Sequence, residues 1–162
     1  MKDLDLILKQ NRTWGKVQEN EPGQILIENG YAVAFNGVIL GAIETVLQPG
    51  YYNLSASGEL VPANQNHALK EKIDDYTKYF GNPSFGYREI WDSKNRGIML
   101  SVIYAALEIN INLNYIKDIY NFIGSTFKVF GRDDSSPVLF ESHTRKLLTF
   151  SIVYGKFPKD CY

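Results

Sequence analysis

The sequence predicts an α+β fold: an antiparallel sheet, made of an N-terminal meander plus two later hairpins, packed by two main helices at about 64–80 and 113–123. Three observations carry this reading. Two Asn-Gly pairs, Asn29-Gly30 and Asn36-Gly37, divide residues 24–47 (QILIENGYAVAFNGVILGAIETVL) into three apolar runs. A type I′ hairpin turn needs positive φ at both central residues, which Asn followed by Gly adopts most easily. Residues 64–80 set Leu69, Ile73, Tyr76 and Phe80 on one helical stripe among Lys, Glu and Asp, the pattern of a helix that packs one face. Residues 113–123 carry a second such stripe and stop at Gly124, the residue type best suited to close a helix.

Taken in order, Asp3 is positioned to cap a short helix carrying Leu4, Ile7 and Leu8, with Trp14 as an anchor before the sheet,. The third meander run, 38–47, is apolar on both alternating faces, so it reads as a central strand covered on both sides,. Gln48-Pro49-Gly50 suits a type II turn and returns 51–57 as a fourth strand,. Pro62 ends that region, and Asn64 or Asn66 caps the first main helix, which stops at Gly81-Asn82-Pro83,. Residues 87–91 and 97–109 read as a hairpin around the polar loop 92–96,. The continuous apolar run in 98–109 shows no period, so a buried helix is the alternative to the strand expected there. One of Asn110, Asn112 and Asn114 caps the second main helix. Its stripes, Leu113, Ile116, Tyr120 and Ile123 beside Tyr115, Ile119 and Phe122, leave little polar face, which implies burial on two sides or an interface,. Strands follow at 126–130, 138–141 and 146–154, with Ser142-His143-Thr144-Arg145 as a hairpin tip. Residues 75–93 and 118–135 share a helix, a Gly stop, an aromatic strand and an acidic loop, the grammar of a duplicated helix-hairpin unit,.

At 162 residues the chain fits one domain, 1–162, with 1–20 as an N-terminal arm or short helix,. A composition 44% hydrophobic and 22% charged is that of a globular chain and not a disordered one,. The net charge of −1 lacks the broad positive field that drives phosphate binding, so nucleic acid is not an expected partner,. A single cysteine, Cys161, allows no internal disulfide and fits a reducing compartment,. The N-terminal stretch has acidic residues within its apolar run, unlike a signal peptide, and no stretch approaches the roughly 20 apolar residues that span a bilayer,. The expected location is cytoplasmic or virion-associated. Heavy use of Ile, Asn, Lys, Tyr and Phe is that of an AT-rich bacterial or phage genome.

Familiar catalytic signatures do not occur: there is no G-x-S-x-G, Walker loop, G-x-G-x-x-G, H-E-x-x-H or C-x-x-C,. Glu141 and His143, two residues apart, with Asp133 and Asp134 across the same hairpin region, are an imidazole and carboxylates of the kind that can hold a divalent metal,. A hairpin tip is also where such residues are simply solvated, and neither a metal nor a cofactor is expected. His67 reads as a solvated residue in the first turn of its helix. Glu108, in an apolar run, needs a cation, and Arg88 or Arg96 would supply a structural ion pair,.

The aromatic supply is the most distinctive feature. Tyr51, Tyr52, Tyr76, Tyr79, Tyr87, Trp91, Tyr104, Tyr115 and Tyr120 exceed what one small core readily encloses, and tyrosine joins a large apolar area to a hydroxyl that tolerates a wet rim. The candidate ligand or interface residues are Tyr51, Tyr52, Tyr87, Arg88, Trp91, Tyr115, Tyr120 and Phe122. The expected function is a non-enzymatic assembly or interaction protein whose partner is itself or another protein. The order helix, long hairpin, second helix, final hairpin resembles that of phage tail-completion and adaptor proteins that form rings, a likeness of element order and not of motifs. The alternatives are a small-ligand or inhibitor module with a Tyr-lined pocket and, third, a metal-dependent hydrolase using Asp133, Glu141 and His143.

Overall fold

Asn29 and Gly30 take φ values of 52° and 81°, the left-handed pair a type I′ turn requires, and join β1 (Gln24–Glu28) to β2 (Tyr31–Phe35),. The computed structural model describes residues 3–13, 24–35, 39–55, 57–80, 86–94, 99–107, 109–111, 113–149 and 152–153. They form an antiparallel, sheet-rich α+β arrangement with four helices, in two compact units, Met1–Lys78 and Tyr79–Tyr162.

In the first unit β3 (Ile39–Glu44) pairs with β2, β4 (Gly50–Leu54) returns to the other side of β1, and β5 (Leu60–Pro62) adds to β4, giving the order β5-β4-β1-β2-β3. Ile25, Leu26 and Ile27 of β1 and Ala32, Val33 and Ala34 of β2 are all buried, so both faces of the sheet centre are covered. Helix α2 (His67–Thr77) lies on the face of Gln24, Leu26 and Glu28. Its N-cap Asn66 accepts from Leu69 N–H and donates to Gln24 Oε1, Lys70 Nζ reaches Glu28 at 2.9 Å, and Tyr76 meets Phe35 at 5.2 Å between ring centres. Ile73, central in the stripe, is fully buried. The opposite face presents Ala32, Ala34 and Gly41, small enough for a helix to approach, and α1 (Leu4–Thr13) packs on β2 and β3 with Leu4 and Ile7 buried. Asp3 immediately precedes that helix and its carbonyl accepts from Leu6 N–H.

The third meander run ends sooner than its pattern suggests. β3 stops at Glu44, and Val46 and Leu47 are 104% and 47% exposed. Thr45 N–H still reaches across to the Gly30 carbonyl at 2.9 Å, but beyond it the bonds are local: Thr45 Oγ1 accepts from Leu47 N–H and the Tyr52 hydroxyl donates to the Gln48 carbonyl,. Three residues ending in Pro62 were too few to mark β5 as a strand.

The second unit corrects the later half of the reading. After β6 (Arg88–Asp92) the chain forms helix α3 (Met99–Leu107), not the second arm of a hairpin. The helical period was present, since Met99, Ile103 and Leu107 at i, i+4 and i+8 are all buried. Apolar residues on the other sides of the run hid it. β7 (Ile109–Asn110), α4 (Leu113–Ile123), β8 (Lys128–Gly131), β9 (Val138–Glu141), β10 (Arg145–Thr149) and β11 (Ile152–Val153) follow. The sheet order is β10-β9-β8-β6, all antiparallel, and β11 pairs with β7. β6 therefore finds its partner in β8, about 40 residues on, and not in the neighbouring run,. The duplication does not hold, because Val102-Ile103-Tyr104 is helical whereas Ile152–Val153 is strand; the element order likened to ring-forming phage proteins loses its long hairpin for the same reason. α4 matches its expected span, closed by Gly124 at φ 93°, whose N–H donates to the Tyr120 carbonyl at 2.9 Å,. Trp14, the Asn36-Gly37 turn, the stop at 81–83, Arg96, Glu108 and Cys161 lie outside the described residues.

Candidate interaction surface

Across the second unit's sheet, Trp91, Val129, Phe140 and Leu147 stand opposite one another in successive strands and share one face,. A bulge between Glu89 and Trp91 turns Ile90 toward the same side, where its Cδ1 and that of Leu107 crowd over Gly131,. Phe127 centres the ring cluster on this face, 5.3 Å from Trp91, 6.0 Å from Phe140 and 5.4 Å, edge-on, from Tyr120. Trp91 and Phe122 are thus core residues, while Tyr120 forms a rim that is 41% exposed.

The remaining candidates are dispersed. Arg88 is exposed and its guanidinium donates to the Ala106 carbonyl at 3.2 Å, holding the C-terminal turn of α3,. Tyr87 is half-buried, stacks on Tyr79 at 5.4 Å and donates its hydroxyl to the Pro137 carbonyl. Burial, and then the neighbouring Tyr79, push its pKa up, so it remains a neutral donor,. Tyr51 and Tyr52, half-buried on β4, belong to the first unit and point to opposite faces,. The side chain of Tyr115 lies outside the described residues.

The structure does not gather Asp133, Glu141 and His143 into a site: no group of three or more His, Cys, Asp or Glu able to hold a metal occurs among the described residues. The Asp133 carboxylate already accepts from Ser135 N–H and Oγ, Ser136 Oγ and Arg132 Nε. Burial opposes its charge, but the donors of Ser136, Ser135 and Arg132 outweigh that and bring its pKa down to about 2,. Glu141 pairs with Lys146 at 3.4 Å, and His143 is exposed at the hairpin tip. His67 is exposed in the first turn of α2.

Two features went unread in the sequence. One is the outer side of α3, whose nine residues MLSVIYAAL include no charge and whose Val102 and Tyr104 are 36% and 49% exposed. The missing charge was the signal that could have found it. The other is a row of charges, Asp92, Lys128, Glu141 and Lys146, directly opposed across four strands on the face away from Trp91. Only the strand order brings these together. Lys128 is held protonated above its ordinary range, first by its hydrogen bond to Glu89 and then by the charges of Glu89, Asp92 and Glu141. Among the described residues, no helix is long and apolar enough to cross a membrane. No protein-family model matches the chain, and no curated protein or solved structure matches it significantly.

Proposed function

We propose that this protein is a non-enzymatic interaction protein that assembles with copies of itself or with another protein. The observation that carries the reading is α3. A helix side turned to water ordinarily bears charge, whereas this one sets Met99, Ile103 and Leu107 inward and exposes Ser101, Val102, Tyr104 and Ala105. Apolar side chains on ordered backbone, tyrosine among them, are the usual content of a protein-binding patch. Val46 and Leu47, held out by the bonded turn at Thr45 and Gln48, are of the same kind. Light scattering over a range of concentrations tests the reading. Self-association weakened by Val102→Glu and Tyr104→Glu supports it, and a strictly monomeric wild type that also captures no protein partner refutes it.

A second reading, a small-ligand module, draws on two polar atoms of the second unit. Trp91 Nε1 and Thr149 Oγ1 are buried with no hydrogen-bond partner among the described residues, and both residues project from the face that carries the ring cluster. An unmet buried donor costs about 1–3 kcal/mol, which a ligand bearing an acceptor would relieve. Thermal shift against nucleotides and metabolites tests it, since a ligand at a hundred times its dissociation constant adds about 2.7 kcal/mol. Absence of any shift across a broad panel leaves the first reading alone.

A further inference from the structure

The charge row of the second unit has a property beyond its own neutrality. Asp92 of β6 is opposite Lys128 of β8, Lys128 opposite Glu141 of β9, and Glu141 opposite Lys146 of β10. Opposed residues of antiparallel strands project from one face, so the row reads minus, plus, minus, plus at a spacing of about 4.8 Å. At its middle the side chains of Lys128 and Glu141 are 53% and 35% exposed, whereas Lys146 is 16% exposed, its ammonium 5.4 Å from the centre of the Phe80 ring. Phe130, one row along on the same face, is half-buried.

We propose that this row is a self-recognition surface, on which a second copy of the chain docks about a two-fold axis parallel to the strands, between Lys128 and Glu141. The proposal rests on the self-association reading and adds to the α3 patch a second surface, on the opposite face of the sheet, with a stated symmetry. The argument is charge complementarity. That rotation lays the row on its own reverse, so Lys146 of the second copy faces Asp92 and Glu141 of the second copy faces Lys128, with the reciprocal pairs by symmetry. The open side chains, Lys128 and Glu141, thus meet their opposites, and the covered Lys146 adds its charge from beneath Phe80. An axis along the row would instead set each charge on its own kind, so the alternation selects one of the two orientations. A surface of one sign, such as a phosphate backbone or an anionic bilayer, would meet as much repulsion as attraction here. Individual exposed ion pairs contribute little; their arrangement acts on orientation and on which partner is accepted.

The test exchanges the row's polarity. The variant Glu89→Lys, Asp92→Lys, Lys128→Glu, Glu141→Lys, Lys146→Glu keeps each neighbour in the row opposite in sign, Glu89 being included because it pairs with Lys128 at 3.0 Å. About the proposed axis it is again complementary to itself but meets the wild type with like charges throughout; only the other orientation, along the row, would pair the two favourably. In sedimentation or fluorescence-mixing experiments on the full chain, wild type and variant are expected each to self-associate, while mixed species form roughly tenfold less often than random pairing. Lys128→Glu alone weakens self-association roughly tenfold, because the two-fold repeats the change. Where the inverted variant fails to fold by circular dichroism, Lys128→Glu and salt decide: association falls between about 50 mM and about 0.5 M salt as screening shortens. A self-associating wild type that mixes freely with the variant, or whose association ignores both Lys128→Glu and salt, overturns this surface and leaves the self-association reading standing. A wild type that stays monomeric at every concentration overturns both.

Discussion

Leu107 of α3 lies directly on Gly131 of β8: a Cβ at residue 131 would sit 2.5 Å from Leu107 Cδ1 and 2.6 Å from Ile90 Cδ1. The helix is seated on bare backbone. Gly131→Ala is therefore expected to destabilise the protein by about 1–3 kcal/mol through overpacking, measured by urea unfolding. Because the obstructing atoms are side-chain ends, combining it with Leu107→Ala is expected to cost about 1 kcal/mol less than the sum of the two single changes. Strict additivity would show that α3 is not seated there.

The Asn29-Gly30 turn separates a torsional cost from a steric one. Gly30, at φ 81°, and Gly124, at φ 93°, have none of the described residues within 4 Å of where a Cβ would be. Alanine at either position meets none of them, only the left-handed backbone, so each of Gly30→Ala and Gly124→Ala is expected to lower stability by about 1 kcal/mol with an unchanged denaturant slope. A neutral Gly30→Ala would mean that the turn is not type I′.

These cases mark what could be read without coordinates. Local grammar was legible where one residue type answers one backbone need: the Asn29-Gly30 turn and the Gly124 stop follow from adjacent residues, and the cap of α2 was narrowed to Asn64 or Asn66, of which the structure uses Asn66. The span of α4 followed from its stripes. What failed was pairing at a distance. Nothing near Arg88 names β8 as its partner, and the uniform apolarity of 99–107 hid a helical stripe until Gly131 showed where Leu107 lies. The site shared this limit. Trp91 and Phe122 were singled out for their rings, and rings serve the core as readily as a surface, whereas the charge row exists only once four strands are ordered.

Asp133 supplies a pH dependence with a definite sign. Its folded pKa, about 2, is below the ordinary carboxylate value, which is roughly 3.9 in an unfolded chain. The stabilisation is present above the unfolded value and is lost as pH falls from about 4 toward about 2. With the side chain 42% exposed, solvent discounts the effect. Asp133→Ala is expected to cost about 1 kcal/mol near neutrality, the scale of its turn hydrogen bonds, and the gap between wild type and variant is expected to close across that acid window. A gap that stays constant with pH would show that the ionised carboxylate is not what orders the turn.

Arg145 closes the end of α4 from a neighbouring strand. Its position beside Ser142-His143-Thr144 suggested a solvated turn charge, but the residue opens β10. Its guanidinium donates to the Phe122 carbonyl at 2.8 Å and lies 5.4 Å from the centre of that residue's ring. One cation thus satisfies a carbonyl in the last turn of the helix, complements the negative end of its dipole and rests on an aromatic face. Lysine keeps the charge but not the plane, and methionine keeps the stem but neither the charge nor the donor. The expected order of stability is wild type, then Arg145→Lys, then Arg145→Met, then Arg145→Ala, the last about 1–2 kcal/mol below wild type by urea unfolding. Arg145→Lys equal to wild type would show that charge alone is sufficient; Arg145→Met equal to wild type would assign the whole contribution to packing of the stem.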